Sequence, residues 1–151
     1  MIYLDTSFLA PLFREEATSS KVAAFLARQS VGTMAVSKWV SVEFASLISR
    51  DARMGALHDA RSGALTVAQG QRLIKEFDAM VADSLVVLMP TANDFSLAQQ
   101  YVASFSTKLR APDALHLAAA HNSGAEFVAT LDEGMLFAAK KLRVAARRAI
   151  R

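Results

Sequence analysis

The sequence predicts an α/β fold in which helices cover both faces of a short, mostly parallel sheet. Short apolar runs alternate along the chain with longer segments of helical periodicity. The runs are apolar throughout rather than at alternate positions, which indicates strands buried on both faces of a sheet. No repeat or Gly/Ser/Pro-rich linker interrupts the 151 residues, so we expect a single domain over residues 1–151.

The N-terminal part of the chain supplies two of the predicted strands. Ile2–Leu4 is an apolar run that ends at Asp5, as a buried strand does. Residues 8–28 predict one or two helices, with a polar break over residues 15–20. Residues 33–36 predict the second strand.

A helix with one acid beside its apolar side is predicted next. Ser37 is its predicted N-cap, and the helix runs to about Arg53, where Gly55 closes it. Its apolar residues recur at helical spacing and are Val40, Phe44, Leu47 and Ile48. Glu43 lies beside this stripe rather than opposite it.

The C-terminal part continues the alternation of strands and helices. Strands are predicted over residues 85–89, where Pro90 ends the run, and over residues 127–131. Helices are predicted from Thr66 to about Asp83, from Thr91 or Asn93 to about Phe105, from Pro112 through His121, and over residues 135–142. The tail is expected to hold a last strand or helix.

The composition and the N-terminal sequence exclude several kinds of site and segment. The chain has no cysteine, which excludes disulfides, thiolate metal sites and cysteine nucleophiles. The N-terminal run has no basic segment before it and includes Asp5, so it predicts a buried strand rather than a signal peptide. No apolar stretch reaches the ~18 residues of a spanning helix, and we expect a cytoplasmic protein.

The net charge of +3 and the sequence pI of about 9.5 indicate a modest basic excess. Residues 140–151 hold six of the 17 Lys and Arg residues and no acid. This basic tail is either an electrostatic footprint for phosphate or a solvated terminus, and the sequence leaves both open.

Four acids stand in otherwise apolar surroundings. Asp5 and Asp132 are each the first charged residue after an apolar strand, so both belong at the carboxyl edge of a parallel sheet, where ligands collect. Asp113 follows Pro112 in the first turn of its helix. Clustered buried carboxylates are costly unless a cation neutralises them, and hard oxygen donors suit Mg²⁺ or Mn²⁺. A divalent metal site is therefore predicted from Asp5, Glu43, Asp113 and Asp132.

Each of these residues also has a purely structural interpretation. Asp113 suits the first turn of a helix through the helix dipole, and Glu43 could be a surface acid at the edge of its stripe. The two strand-end aspartates could be turn residues. Thr6 and Ser7 either position a metal-bound water or cap the first helix. The four acids together, in an alternating α/β pattern, favour the metal site over the separate interpretations.

The segments around these acids resemble PIN domains. The opening I-Y-L-D-T-S over residues 2–7 resembles the start of that family, and L-R-A-P-D-A-L-H-L-A over residues 109–118 closely resembles its third acidic motif. Thr130-Leu131-Asp132 is similar to the fourth motif, and Glu43 falls where the family keeps its second acid. The likeness covers nearly the whole chain in the right order. The length suits VapC-type toxins of type II toxin–antitoxin pairs.

This resemblance implies a PIN-like three-layer α/β/α sandwich and a Mg²⁺- or Mn²⁺-dependent endoribonuclease. Such an enzyme cleaves structured RNA, a tRNA or rRNA, through a metal-activated water. It implies that the four acids are catalytic metal ligands, supported by the polar residues Thr6, Ser7 and Thr130. It also implies homodimerisation and inhibition by a VapB-like antitoxin. Because an acidic pocket repels phosphate, basic residues must guide the RNA, and the candidates are Arg14, Lys38, Arg110 and the tail.

Two positions depart from the family pattern. After Asp132 such toxins often carry a basic residue, whereas Glu133 and Gly134 follow here, and Glu133 either adds an acid to the site or points into solvent. Arg143 stands where a glycine is common after the final helix. Neither change removes a predicted metal ligand.

Rival chemistries have less support. His116 and His121 are five residues apart rather than at the i, i+4 spacing of a helical zinc pair, and His58 is in a predicted loop, so the histidines are interpreted as structural. The glycines form no P-loop or dinucleotide fingerprint. A phosphatase would usually need a second aspartate two residues after Asp5, where Ser7 stands. The alternative from another class is a catalytically inactive PIN-fold RNA-binding or regulatory module, which retention of all four acids disfavours.

Overall fold

A five-stranded sheet forms the centre of the protein. The computed structural model describes residues 1–57 and 65–150, with side chains for residues 1–54 and 65–150; the predicted loop at His58 lies outside them. The strand order is β3-β2-β1-β4-β5, and all four pairings are parallel. The strands are β1 (Ile2–Leu4), β2 (Met34–Ser37), β3 (Val86–Leu88), β4 (Phe127–Ala129) and β5 (Ala146–Arg147).

Helices alternate with these strands, so the predicted α/β fold with a parallel sheet is confirmed. The helices are α1 (Thr6–Leu9), α2 (Ser19–Leu26), α3 (Trp39–Leu57), α4 (Val67–Ser84), α5 (Ala92–Val102), α6 (Ala111–Asn122) and α7 (Glu133–Leu142). Short 3₁₀ turns cover Ala10–Leu12 and Phe105–Thr107. Among the helices that the structure describes, none is long and apolar enough to cross a membrane.

The predicted limits of α3 are wrong at both ends. Ser37 is not an N-cap, because it is the last residue of β2 and pairs in register with Leu88. The backbone N–H of Lys38 also donates to the Leu88 carbonyl at 2.7 Å, so cross-strand pairing delays the helix until Trp39. Gly55 does not close α3, which continues to Leu57, since a glycine inside a helix costs only about 1 kcal/mol relative to alanine.

Other helix starts follow the expected capping chemistry. The Thr66 hydroxyl accepts a hydrogen bond from the backbone N–H of Gln69, and the Gln69 side chain accepts from the Thr66 N–H. Thr91 and Asp94 form the same reciprocal arrangement at α5. Each capping box satisfies backbone donors that a helix start would otherwise leave unpaired.

Side chains on the two faces of the sheet enter two separate cores. Because side chains alternate along a strand, Tyr3 joins a core with α5, α6 and α7, and Leu4 joins a core with α1, α2, α3 and α4. Both residues are fully buried. This two-sided burial is the reason that β1 and β4 are apolar throughout, whereas Val86 and Val87 in the edge strand β3 are each 38% exposed.

An aromatic cluster joins α3 to α4 in the second core. The rings of Phe44 and Phe77 stack with centroids 3.9 Å apart and planes inclined by 7°. Phe13 contacts both rings edge-on at 5.3 Å. Offset and edge-on aromatic pairs add to the free energy gained from burial of their area, so this cluster anchors the helix that carries Glu43.

We predict that Phe77→Ala destabilises the fold by about 3–5 kcal/mol, because it removes a fully buried ring and leaves a cavity. Phe105→Ala is the matched control, since that side chain is 92% exposed and its loss should change stability by no more than about 0.5 kcal/mol. Urea unfolding followed by circular dichroism measures both values. Equal effects of the two substitutions would contradict the packing described.

Candidate active site

A cavity of about 640 Å³ opens where the first and fourth strands end. Its walls include the residues that follow β1, the residues that follow β4, and one side each of α3 and α6. All four acids singled out in the sequence line it: Asp5, Glu43, Asp113 and Asp132. The structure therefore brings together residues that are far apart in the chain.

The parallel sheet accounts for the convergence of two of these acids. β1 and β4 pair in register, with Leu4 beside Ala129, so both strands end at the same edge. Asp5 follows β1 directly and is the N-cap of α1, while Asp132 follows β4 closely and is the N-cap of α7. Their carboxylates accept from the backbone N–H groups of Phe8 and Met135, at 2.9 and 2.8 Å.

Asp5 is the most buried of the four acids. Its side chain is 2% exposed, and Oδ2 accepts a hydrogen bond from the Thr130 hydroxyl at 2.8 Å and from the Ser7 hydroxyl at 2.9 Å. Burial raises the pKa of Asp5, while the charge of His116 and the hydrogen bonds from Thr130, Phe8 and Ser7 act in the opposite direction. The net pKa lies above its ordinary value.

Polar side chains hold the ends of β1 and β4 together. The Ser7 hydroxyl accepts from the backbone N–H of Leu131 at 2.9 Å, and the Thr130 hydroxyl accepts from the N–H of Asp132 at 3.0 Å. Of the two roles considered for Thr6 and Ser7, capping of α1 belongs instead to Asp5. Ser7 and Thr130 thus contact Asp5 directly and link it to the strand end that carries Asp132.

Glu43 is held by two donors on one oxygen. Its Oε2 is hydrogen-bonded to the Thr6 hydroxyl and to Nε2 of His116. Burial raises the pKa of Glu43, but the hydrogen bond and charge of His116, together with hydrogen bonds from Thr6 and Trp39, outweigh this effect, and the net pKa is lowered. Burial lowers the pKa of His116, but the hydrogen bond and charge of Glu43, with Asp5 and Asp113, raise it overall.

His116 is a site residue that the sequence interpretation missed. Its side chain is 1% exposed and lines the cavity, and its Nδ1 lies 2.8 Å from the hydroxyl of the buried Tyr3. The available signal was its spacing, because a residue three positions after Asp113 lies on the same face of α6. His121 is exposed, so it does not form a zinc pair with the buried His116, as the five-residue spacing between them predicts.

Asp113 lies close to the other carboxylates of the cavity. Burial raises its pKa to about 6, and the charges of Asp132 and Glu43 contribute in the same direction. Within the described part of the chain, no Lys or Arg side chain forms an ion pair with Asp5, Asp113 or Asp132. His116 is the basic group that partly offsets the repulsion among these acids.

The chemistry of these donors fits a hard divalent cation, because carboxylate and hydroxyl oxygens are the ligands that Mg²⁺ and Mn²⁺ prefer. The side chains do not already surround such an ion: in residues 1–57 and 65–150, no three His, Asp or Glu side chains are grouped closely enough to hold one.

The basic residues singled out in the sequence occupy different surroundings. Arg14 lines the cavity and forms ion pairs with Asp51 at 3.3 Å and Glu16 at 3.7 Å. Lys38 and Arg110 are exposed and do not line the cavity. Arg50, which the sequence interpretation missed, also lines the cavity.

Glu133 adds no acid to the cavity. Its side chain is 73% exposed and accepts a hydrogen bond from Arg148 of the basic tail at 2.6 Å. Of its two predicted roles, the solvent-facing one is confirmed. The tail is therefore placed beside α7 rather than extended into solvent.

Comparison with known proteins identifies the sequence family. Residues 2–141 match the family model of the PIN domain. No curated protein matches the chain in sequence.

Several solved structures share the fold of this chain. The chain is similar to VapC20 from Mycobacterium tuberculosis, described as a sarcin–ricin loop cleaving toxin, with a TM-score of 0.70 and 19% identity over 90% of this chain and 93% of that one. FitAcB from Neisseria gonorrhoeae has a TM-score of 0.64 and 18% identity, over 99% of this chain and 98% of that one. VapBC2 from Rickettsia felis, in a structure bound to a DNA fragment from their promoter, has a TM-score of 0.61 and 14% identity, over 97% of this chain and 98% of that one. Identities this low establish the shared fold alone.

The raised pKa of Asp113 predicts how stability depends on pH without metal. Between its ordinary value of 3.8 and its folded value of about 6, the folded state retains a proton that the unfolded chain has lost. The contribution of this group to stability therefore falls as pH rises through that window. We expect Asp113→Asn to raise the melting temperature more at about pH 7 than at about pH 4.

Thermal unfolding in EDTA measures this difference, and Asp78→Asn, at an exposed position of α4, is the matched control. A stabilisation by Asp113→Asn that does not grow with pH, or the same effect in the control, would contradict the charge repulsion inferred for the cavity.

Proposed function

Because this chain belongs to the PIN domain family, we propose that it is a Mg²⁺- or Mn²⁺-dependent endoribonuclease and the toxin of a VapBC-type toxin–antitoxin pair. The observation that carries the proposal is the convergence of four carboxylates on one cavity without a Lys or Arg partner among the described residues. We propose structured RNA, a tRNA or rRNA, as the substrate. The description of VapC20 as a sarcin–ricin loop cleaving toxin supports this substrate class.

In this proposal Asp5, Glu43, Asp113 and Asp132 hold the ion, directly or through water. Mg²⁺ usually keeps several waters and is held by few carboxylates, so the four acids need not close around it. When bound, the ion would neutralise the clustered charge, activate the attacking water and stabilise charge on the phosphodiester oxygens. The second layer of the site is formed by Thr6, Ser7 and Thr130.

The chain's own residues would bind and orient the RNA at the rim of the cavity. Arg14 and Arg50 line the cavity and offset the repulsion between the acids and the RNA backbone. Trp39 also lines it, and its indole lies close enough to Glu43 to lower the pKa of that carboxylate. Lys38, Arg110 and the basic tail would contact RNA further from the cut.

The proposed partners are a VapB-like antitoxin and a second copy of the chain, acting in the cytoplasm. Similar structures include FitAB and VapBC complexes. Support for a second copy comes from β3, one of the two edge strands of the sheet. Val86 and Val87 in this strand are each 38% exposed, and Met89, which follows it, is 69% exposed. An apolar edge strand is usually covered by another chain or blunted by charge.

Cleavage of total RNA tests the nuclease directly. We expect purified, antitoxin-free protein to release discrete fragments in Mg²⁺ or Mn²⁺ and none in EDTA. Asp5→Asn keeps an oxygen that caps α1 but loses the charge that holds a cation, so it should lower the rate by at least about 100-fold, the upper range for changes around a metal site. Asp78→Asn, at an exposed position outside the cavity, is the control and should cleave like the wild type.

Absence of cleavage by folded, metal-loaded wild-type protein would overturn the nuclease proposal in favour of a non-catalytic RNA-binding module. Cleavage that persists in EDTA, or in Asp5→Asn at the wild-type rate, would contradict the metal mechanism.

Sedimentation equilibrium tests the proposed second copy. We expect the wild type to sediment as a dimer and Val87→Lys to shift it towards the monomer, because a charge would replace an apolar side chain on the edge strand. Lys75, which is exposed on α4, offers a charge-altering control in Lys75→Glu. A monomeric wild type, or a dimer indifferent to Val87→Lys, would contradict this assignment.

A further inference from the structure

A chain of buried polar groups runs from the sheet to Glu43. The backbone N–H of Ser37 in β2 donates to the Tyr3 hydroxyl at 3.3 Å, and that hydroxyl lies 2.8 Å from Nδ1 of His116. Nε2 of His116 is hydrogen-bonded to Oε2 of Glu43. We infer that Tyr3 and His116 are positioning residues that orient the Glu43 carboxylate towards a divalent cation in the cavity, an inference that rests on the proposed function.

The direction of the last hydrogen bond follows from the chemistry of the groups. An ionised carboxylate can only accept, so the proton between His116 and Glu43 belongs to Nε2. This holds whether or not Nδ1 also carries a proton. His116 therefore presents a donor to Glu43 in either state, and Tyr3 sets the ring orientation by its contact with the other nitrogen.

The hydrogen-bonded residues Ser37, Tyr3 and His116 are held in place by burial. The side chains of Tyr3 and Ser37 are 0% exposed and that of His116 is 1% exposed. The Tyr3 and His116 rings also meet edge-on, with centroids 5.8 Å apart and planes inclined by 66°. Tyr3 lies in the central strand of the sheet. The orientation of His116 is thus fixed by the most buried part of the fold.

Glu43, the last residue of this hydrogen-bonded series, has the most freedom to move. Glu43 is 19% exposed and lies on the cavity wall, and a glutamate side chain has several rotatable bonds. Thr6 and His116 both bind Oε2, and Trp39 is a further side-chain hydrogen-bond partner of Glu43. Restriction of the carboxylate to one orientation on the cavity wall lowers the entropic cost of ligand binding.

A role in packing alone would not require this arrangement. His116 buries two ring nitrogens, and both have a polar partner, whereas a leucine would fill the same core without any polar demand. Ligands of metal sites are commonly oriented by outer hydrogen-bonding partners, whose loss typically weakens metal affinity or activity by about 10–100-fold. The arrangement of Tyr3, His116 and Glu43 matches that role.

The experiment measures Mn²⁺ binding by electron paramagnetic resonance of the free ion, together with kcat and KM for RNA cleavage. His116→Leu removes the donor, and His116→Gln retains an N–H of similar reach. Tyr3→Phe removes only the hydroxyl and serves where His116→Leu fails to fold. His121→Leu is the matched control, because it makes the same substitution at an exposed position of the same helix.

We expect His116→Leu to weaken Mn²⁺ binding by about 10-fold or more and to lower kcat, with KM little changed. His116→Gln should recover most of both values, Tyr3→Phe should fall between them, and His121→Leu should equal the wild type. The effects should act through Glu43, so in a Glu43→Gln background His116→Leu should change Mn²⁺ affinity much less than in the wild type.

Wild-type Mn²⁺ affinity and kcat in folded His116→Leu or Tyr3→Phe would overturn the inference and leave the nuclease intact. Equal losses in His116→Leu and His116→Gln, or full additivity with Glu43→Gln, would also overturn it, since they indicate a packing role. A wild-type protein that neither binds Mn²⁺ nor cleaves RNA would instead overturn the proposed function, and this inference with it.

Discussion

The fold must offset one unfavourable interaction, which is the electrostatic repulsion among the carboxylates gathered at the edge where β1 and β4 end. Parallel pairing in register brings Asp5 and the Asp132 segment to the same edge, and α3 and α6 add Glu43 and Asp113. The raised pKa of Asp113, at about 6, reflects burial and the charges of its neighbours. Such a cluster persists in a folded protein because other interactions hold it, and because a cation can neutralise it.

Those other interactions are the same ones that build the fold. Asp5 and Asp132 each cap a helix as well as line the cavity, and an N-cap is typically worth about 1 kcal/mol. Ser7 and Thr130 link the two strand ends while they contact Asp5. The residues of the site are therefore also part of what stabilises the fold around it. Its carboxylates and hydroxyls start the helices and join the strands that position them, so the acidic cavity and the local chain path are specified together.

The features predicted correctly are those that a local pattern specifies. Apolar runs, turn residues and capping positions are read over a few residues, and this is why the parallel sheet, the Thr66 cap and the placement of the four acids follow from the sequence. The errors arise where distant contacts decide. Ser37 remains in β2 because it pairs with Leu88, which no local pattern records. His116 joins the site through Tyr3 and Glu43, which lie 113 and 73 residues away. Helical spacing from Asp113 indicated its direction, but not its partners.

The proposed function requires that this cavity bind a divalent cation, and a crystal structure with Mn²⁺, located by its anomalous scattering, would reveal that ion. We expect a manganese peak inside the cavity, with at least one oxygen of Asp5, Glu43, Asp113 or Asp132 at roughly 2.1 Å and the remaining ligands supplied largely by water. A Mn²⁺-saturated crystal with an open cavity and no anomalous peak there, or with peaks only at surface acids such as Asp78, would show that the four acids do not form a metal site.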